Sequence, residues 1–168
     1  MQRIAVIGGT GMKQLVSEAD YGDSGFSLSR VDSLHLETQY GEVPIEVLVL
    51  SNDGEDDNRI FIIHRHHGDG KTTPPHLINY HANVRAAASC QPSVILSIQS
   101  VGAIDSNFPP GTVGMAEHTL DFCSEPVTFS EDDAHHADMT HHYPKHLRDL
   151  LRPILAEQSD APISLDHV

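Results

Sequence analysis

Apolar and polar residues follow each other along the chain in patterns that predict an α/β protein. Residues 4–7 (IAVI) and 60–63 (IFII) are short, continuous apolar runs, as in strands buried on both faces. Leu34, Leu36 and Thr38 alternate with polar residues, as in a half-buried strand. The predicted strands cover residues 3–8, 34–40, 43–50, 59–64 and 93–99, with a further short strand at 113–115, and the predicted helices cover residues 76–90 and 144–157.

The two predicted helices differ in how they are marked. Pro74 and Pro75 fit the entry to the first helix, where a missing N–H has no consequence. The second helix carries an apolar stripe, and Pro153 within it predicts a kink or a break. Strands mixed with helices over this length predict a single domain, residues 1–168, with a mixed or mostly parallel sheet flanked by helices. The pattern leaves the strand order open.

The charge of the chain excludes some partners. Lys and Arg number 10 against 24 Asp and Glu, which gives a formal net charge of −14. Nucleic acids and anionic membranes are polyanions, so neither is an expected partner. A single phosphate is still compatible with an acidic protein, because one loop can bind an anion locally.

Cysteine use and hydropathy predict a cytoplasmic protein. Cys90 and Cys123 lie far apart in the sequence and form no CxxC motif, which favours reduced thiols. The first apolar run is too short for a signal peptide, and no run approaches the roughly 20 apolar residues of a membrane span.

Glycine-rich segments give two candidate anion loops. Residues 8–11 (GGTG) follow a predicted strand, so their backbone N–H groups and the Thr10 hydroxyl could converge on a phosphate. A tight turn is an open alternative, whereas a dinucleotide site lacks its third glycine because residue 14 is Gln. Residues 68–72 (GDGKT) imitate a nucleotide-binding P-loop, but Arg65 stands where that motif needs glycine.

Thirteen histidines raise the question of a metal site. They cluster at residues 64–67, 135–136 and 141–142, without the HExxH spacing or a cysteine pair at ligand spacing. No metal is therefore expected, and a histidine-dependent metal hydrolase is the weakest hypothesis.

Six short segments, taken in order, carry a family resemblance. They are IGGTG at 7–11, ETQYG at 37–41, HHGDGKTTPPH at 66–76, INYHAN at 78–83, QSVGAI at 99–104 and PGTV at 110–113. This set resembles the methylthioadenosine/methylthioinosine phosphorylase branch of the trimeric purine nucleoside phosphorylases. That branch has an IGGTG start, a TPYG strand, an RHGxxHxxPPHxxNYRAN block, an (S/N)AVG loop and a PGD turn.

The resemblance implies a nucleoside phosphorylase-like mixed sheet and a set of substrate contacts. It implies inorganic phosphate as co-substrate, no cofactor, a purine nucleoside as the other substrate and a homotrimer. His135 is the position nearest to the family histidine that reaches a neighbouring subunit's site. The positions that the family uses for phosphate and substrate correspond here to Thr10, His66, His67, Gln99 and Ser100.

Several of these positions depart from the family pattern. His66 replaces the arginine of the family RHG motif, and an imidazole is charged only when protonated. If His66 supplies the charge, phosphate binding should weaken as the pH rises. Arg65, one position upstream, would substitute only if the loop shifts. Asp69 adds a negative charge, and Gln99 replaces a smaller residue.

The family's purine-binding segments, a GPRFET motif, a methionine-containing ribose loop and a carboxylate, have no match in these 168 residues. The domain is therefore expected to be C-terminally truncated, with the catalytic residues on the purine side unknown and with slow turnover by the chain alone. The predicted function is phosphorolysis of 5′-methylthioadenosine, 5′-methylthioinosine or inosine to a free purine and a ribose-1-phosphate type sugar. The alternative is a non-catalytic homologue that acts as a binding or oligomer partner.

Overall fold

A computed structural model describes residues 2–9, 12, 24–68, 72–122 and 128–158. The chain divides into two compact units, which we call the sheet unit (Met1–Ser100) and the C-terminal unit (Val101–Val168). Thr10, Asp69 and Cys123 lie outside the described residues. The single-domain prediction stays a prediction.

The sheet unit is built on one five-stranded mixed sheet in the order β2-β3-β4-β1-β5. β1 is parallel to both of its neighbours, β4 and β5, whereas β2, β3 and β4 are joined as antiparallel pairs. This topology confirms the predicted fold class of a mixed sheet flanked by helices. The strands are β1 (Arg3–Gly8), β2 (Phe26–Thr38), β3 (Gly41–Asn52), β4 (Glu55–His64) and β5 (Val94–Ile98).

Two tight turns connect the antiparallel strands. Asp53 and Gly54 have φ angles of 52° and 86°, the left-handed pair that a two-residue hairpin turn needs. Because the turn takes only these two residues, β3 continues to Asn52 and β4 begins at Glu55, beyond the predicted strand bounds of 43–50 and 59–64. Thr38 stabilises the other turn, since its hydroxyl accepts from Tyr40 N at 3.1 Å and donates to Gly41 O at 2.7 Å.

The first of the two predicted helices is observed as α1 (Tyr80–Ser89), which begins four residues later than predicted. The two prolines open a separate 3-10 turn, Pro75–Leu77, after which Ile78 is extended with ψ of 128°. Asn79 then caps α1 by accepting a hydrogen bond from Ala82 N at 3.0 Å. Its amide also donates to Tyr40 O at 2.7 Å, which ties the helix start to the hairpin.

The core lies between α1 and one face of the sheet. Ile45 and Ile63 are 2% and 0% exposed, and each such side chain contributes about 1.5–3 kcal/mol of burial free energy. A smaller cluster of Leu48, Leu50 and Ile62 lies on the opposite face. The main cluster comprises Ala5, Val43, Ile45, Val47, Val49, Phe61, Ile63, Ala82, Ala86, Ala87 and Cys90.

The C-terminal unit contains the second helix, α2 (Lys145–Gln158). Pro153 lies inside α2 without splitting it. Because proline has no N–H, the carbonyl of Asp149 lacks its usual helical partner, but Asp149 is exposed and water can hydrate this carbonyl. The predicted strand at 113–115 is reduced to an isolated bridge at Val113. Among the described residues, no helix combines the length and apolar character that a bilayer crossing requires.

Candidate functional site

The parallel part of the sheet ends in one edge where three strands stop together. The ladder continues just past the strands, because Arg65 N donates to Gly8 O at 3.0 Å and Gly9 N donates to Ile98 O at 3.2 Å. In open α/β sheets, ligands bind outside the carboxyl ends of parallel strands. This edge is therefore the natural place for a site.

A cavity of about 370 Å³ opens beside this edge, on the side of the sheet that α1 covers. Alternate residues of a strand face the same side, so β1 contributes Ile7 and β5 contributes Ile95 and Ser97 to the lining. Arg65 and Gln99, which also line the cavity, lie just beyond the ends of β4 and β5. None of the described residues that line the cavity is acidic, although the chain carries a formal net charge of −14. The lining residues are Ile7, Arg65, His66, Pro75, Ile78, Tyr80, Asn83, Val84, Ile95, Ser97 and Gln99.

Arg65 supplies the cation of this cavity. A β-carbon at Gly9 would lie only 3.2 Å from Arg65 Nη2, so the glycine leaves room for the guanidinium. Arg65 Nε donates to His66 Nε2 at 3.3 Å. Arg65 Nη1 is buried and has no hydrogen-bond partner among the described residues. A buried, unpartnered guanidinium nitrogen is costly unless an acceptor arrives, which makes this group a strong candidate for anion binding.

His66 links Arg65 to the following loop. Its Nδ1 lies 2.8 Å from Thr73 O, and because a carbonyl oxygen only accepts, this nitrogen donates. In the neutral ring, Nε2 is then the acceptor, which matches the hydrogen bond from Arg65. Thr73 is itself fixed, since its N donates to His66 O at 2.9 Å and its hydroxyl donates to His67 O at 2.6 Å.

His67 bonds to the scaffold rather than lining the cavity. Its Nε2 donates to Asn83 Oδ1 at 2.8 Å, and Asn83 Nδ2 donates to Arg65 O at 3.3 Å. Asn83 is 1% exposed, so both of its hydrogen bonds lie in the protein interior. Through Asn83, helix α1 holds the backbone of the residue that carries the guanidinium.

The sequence-predicted residues fall in different places. His66 and Gln99 line the cavity together, whereas the exposed Ser100 follows Gln99 without lining it. Thr10 lies outside the described residues, so its convergence with His67 and Ser100 in one concave site stays a prediction. His135 is an exposed residue of the C-terminal unit, and its reach into a neighbouring subunit is likewise untested.

Arg65 and Ser97 line the cavity, although the family resemblance assigns neither of them a substrate contact. Aligning the PPH block without gaps gave the family arginine position to His66, although β4 ends at His64 and makes Arg65 the first residue beyond the sheet edge. The end of β4 indicates Arg65, because the position of a residue relative to a strand end decides whether its side chain reaches the sheet edge. Alternation along β5 could have identified Ser97, which lies two residues before Gln99.

Several histidines of the sheet unit have hydrogen-bond partners. His64 Nε2 lies 2.8 Å from Glu46 Oε2 on the face opposite α1. In the described part of the chain, no three His, Cys, Asp or Glu side chains converge as ligands for an ion.

Known proteins resemble this chain over nearly its whole length. The model of the phosphorylase superfamily matches residues 3–164. A probable S-methyl-5′-thioinosine phosphorylase of Methanothermobacter thermautotrophicus is 35% identical over 149 residues, which are 88% of this chain and 48% of the relative. A probable 6-oxopurine nucleoside phosphorylase of Dictyoglomus turgidum is 35% identical over 153 residues, 89% of this chain and 52% of the relative.

A probable S-methyl-5′-thioinosine phosphorylase of Xylella fastidiosa is 32% identical over 171 aligned positions, with 96% of this chain and 63% of the relative covered. The chain spans about half the length of the first two of these relatives. The match to the family model, in contrast, covers almost the entire chain. The fold of the chain contains the mixed sheet that the motifs implied. The chain belongs to the phosphorylase superfamily.

Proposed function

We propose that this chain provides the phosphate site for phosphorolysis of a purine nucleoside. The observation that carries the proposal is Arg65, which lines a cavity without acidic lining. Its Nη1 atom is buried and lacks a hydrogen-bond partner among the described residues. Phosphate suits such a group because its oxygens accept charge-assisted, bidentate hydrogen bonds from a guanidinium. The Ser97 hydroxyl and the Gln99 amide line the same cavity and add neutral donors.

In the proposed reaction, a phosphate oxygen attacks C1′ of the ribose while the bond from C1′ to the purine nitrogen breaks. The electron pair of that bond leaves with the purine, which takes up a proton. The ribose develops positive charge in the transition state, so a phosphate held beneath C1′ stabilises it. Arg65 positions the phosphate in this scheme. Thr10, His67 and Ser100 are the further phosphate contacts that the family resemblance suggests.

The relatives suggest a substrate class. Their names specify S-methyl-5′-thioinosine and 6-oxopurine nucleosides, so both groups act on a purine with an oxygen at C6. We therefore propose methylthioinosine and inosine as the first substrates to test, with methylthioadenosine as the 6-amino comparison. The homotrimer that the resemblance implies is part of the same proposal, and the mass in solution tests it.

The deciding experiment measures release of free purine from each nucleoside with and without inorganic phosphate. Phosphate-dependent release that Arg65→Gln abolishes is the expected result. Release that is equal without phosphate, or equal in the Arg65 variant, would contradict the proposal.

A second candidate is a binding or oligomer partner without turnover. Phosphate binding by the chain without purine release under any condition would support this alternative.

A further inference from the structure

We propose that His66 acts as a neutral acceptor that positions Arg65, so that protonation of His66 weakens anion binding. This inference rests on the proposed phosphate site. It reverses the sequence-based hypothesis that His66 itself supplies positive charge to the phosphate. The two hypotheses predict opposite pH dependences, so one titration separates them.

The hydrogen bonds around the imidazole define its role. Nδ1 is committed as a donor to Thr73 O at 2.8 Å, and the lone pair of Nε2 faces Arg65 Nε at 3.3 Å. Adding a proton to Nε2 would place two N–H donors against each other and two positive charges in adjacent residues. Arg65 would lose the acceptor that holds its Nε, and the guanidinium would no longer be aimed by His66.

Few other ionisable groups face His66 in the described part of the cavity. Among the described residues that line the cavity, only Arg65 and Tyr80 could also carry charge, and the residues from β1 and β5 are neutral. His67 faces Asn83 instead of the cavity. Two charged residues of the same loop, at positions 69 and 71, lie outside the described residues.

The matched variant is His66→Gln, because a glutamine amide offers both an acceptor for Arg65 and a donor for Thr73 O but does not titrate. Calorimetry with sulfate on the purified chain avoids the titration of phosphate itself, since sulfate keeps its double charge throughout. We expect sulfate to bind the original chain about tenfold more tightly at about pH 8.5 than at about pH 5.5. This difference corresponds to the loss of one hydrogen bond to a charged group. The glutamine variant should bind equally at both ends.

Three results would contradict the account in distinguishable ways. Tighter binding at low pH would make His66 the cation and overturn the inference alone. The same pH dependence in both proteins would place the titrating group elsewhere and also overturn it. Absence of sulfate and phosphate binding at every pH would overturn the proposed phosphate site, and the anion step of this inference with it.

A spectroscopic measurement tests the imidazole without any ligand. Nitrogen-15 spectra of histidine-labelled protein at neutral pH report which ring nitrogen carries the proton, and comparison with His66→Gln assigns the signal. We expect the neutral ring protonated on Nδ1. A ring protonated on Nε2, or on both nitrogens, would overturn the inference whether or not an anion binds.

Discussion

The sheet unit and the C-terminal unit are stabilised by different kinds of interaction. Every buried hydrophobic side chain among the described residues lies at or before Cys90, in the sheet unit. The C-terminal unit has no buried residue among those described, and large side chains such as Leu120 and Phe122 are 82% and 91% exposed. Its visible cross-links are polar, for example Arg148 to Glu117 at 2.6 Å.

This contrast shows where a precise site can be built. A side chain holds its position when packing and hydrogen bonds fix the backbone beneath it. Arg65 has such support, because Gly8 O and Asn83 fix its backbone and His66 bonds its side chain. The polar contacts of the C-terminal unit are exposed, and exposed pairs contribute little to stability.

The largest expected effect comes from removing core volume in the sheet unit. Ile63→Ala should lower the free energy of unfolding by about 2–5 kcal/mol, because Ile63 is 0% exposed and a cavity would replace its side chain. Leu150→Ala in α2 should change it by less than about 0.5 kcal/mol, because Leu150 is 62% exposed. Urea unfolding measures both; equal losses would erase the contrast between the units.

A buried polar residue should rank second. Asn83→Ala leaves two partners, Arg65 O and His67 Nε2, without their hydrogen bonds, and should destabilise the sheet unit by about 1–3 kcal/mol. The matched change, Asn107→Ala, removes an exposed side chain in the C-terminal unit and should have little effect. If thermal unfolding showed the same shift for both variants, Asn83 would not be a structural anchor.

Breaking the ion pair of the C-terminal unit should have a small effect. Glu117→Gln removes the partner of Arg148 and should reduce the stability of α2 by about 0.2–1 kcal/mol, as for other solvent-accessible pairs. Hydrogen exchange of the α2 amides reports this loss locally. Asp32→Asn, which breaks the exposed pair with Arg30 in β2, is the control. A loss of several kcal/mol from Glu117→Gln would show that polar contacts hold this unit more strongly than we infer.

The smallest effect concerns Cys90 and emerges only at alkaline pH. Burial raises the pKa of the Cys90 thiol, an effect that the charge of Arg3 partly offsets. Because the pKa is raised in the folded state, the protonated thiol contributes to the free energy of unfolding. This contribution is complete below the unfolded-state pKa and is lost as the pH rises through the folded-state pKa. The original chain should therefore lose more stability than Cys90→Ala between neutral and alkaline pH in reducing buffer. Parallel stability curves would contradict this assignment.

The pattern of the sequence predicted the core strands well but not the start of β2. Residues 34–38 alternate cleanly, whereas the register of β2 shifts between Leu28 and Arg30. A bulge puts consecutive apolar positions out of phase, so a period of two no longer marks the strand. The start of α1 was misplaced for another reason: prolines fit a helix entry, but they equally fit the 3-10 turn that precedes the Asn79 cap.

The candidate site was predictable in its location and less so in its residues. Glycines after β1 and the segment at 99–100 both fall at the sheet edge, as expected for motifs that follow parallel strands. We propose Arg65 rather than His66 as the cation because of the end of β4 and the hydrogen bonds of the imidazole, which the sequence alone does not give. The motif resemblance assigns His66 by its distance along the sequence from the PPH segment at 74–76. The direction of a side chain depends instead on the local backbone.

The central claim is that Arg65 holds the phosphate, and calorimetric titration of inorganic phosphate into two variants tests it most directly. Arg65→Gln and Arg85→Gln remove the same charge, but Arg85 is an exposed residue of α1 that does not line the cavity. We predict that Arg65→Gln weakens phosphate binding at least about tenfold, while Arg85→Gln binds like the original chain. Equal affinity in the two variants would contradict the account.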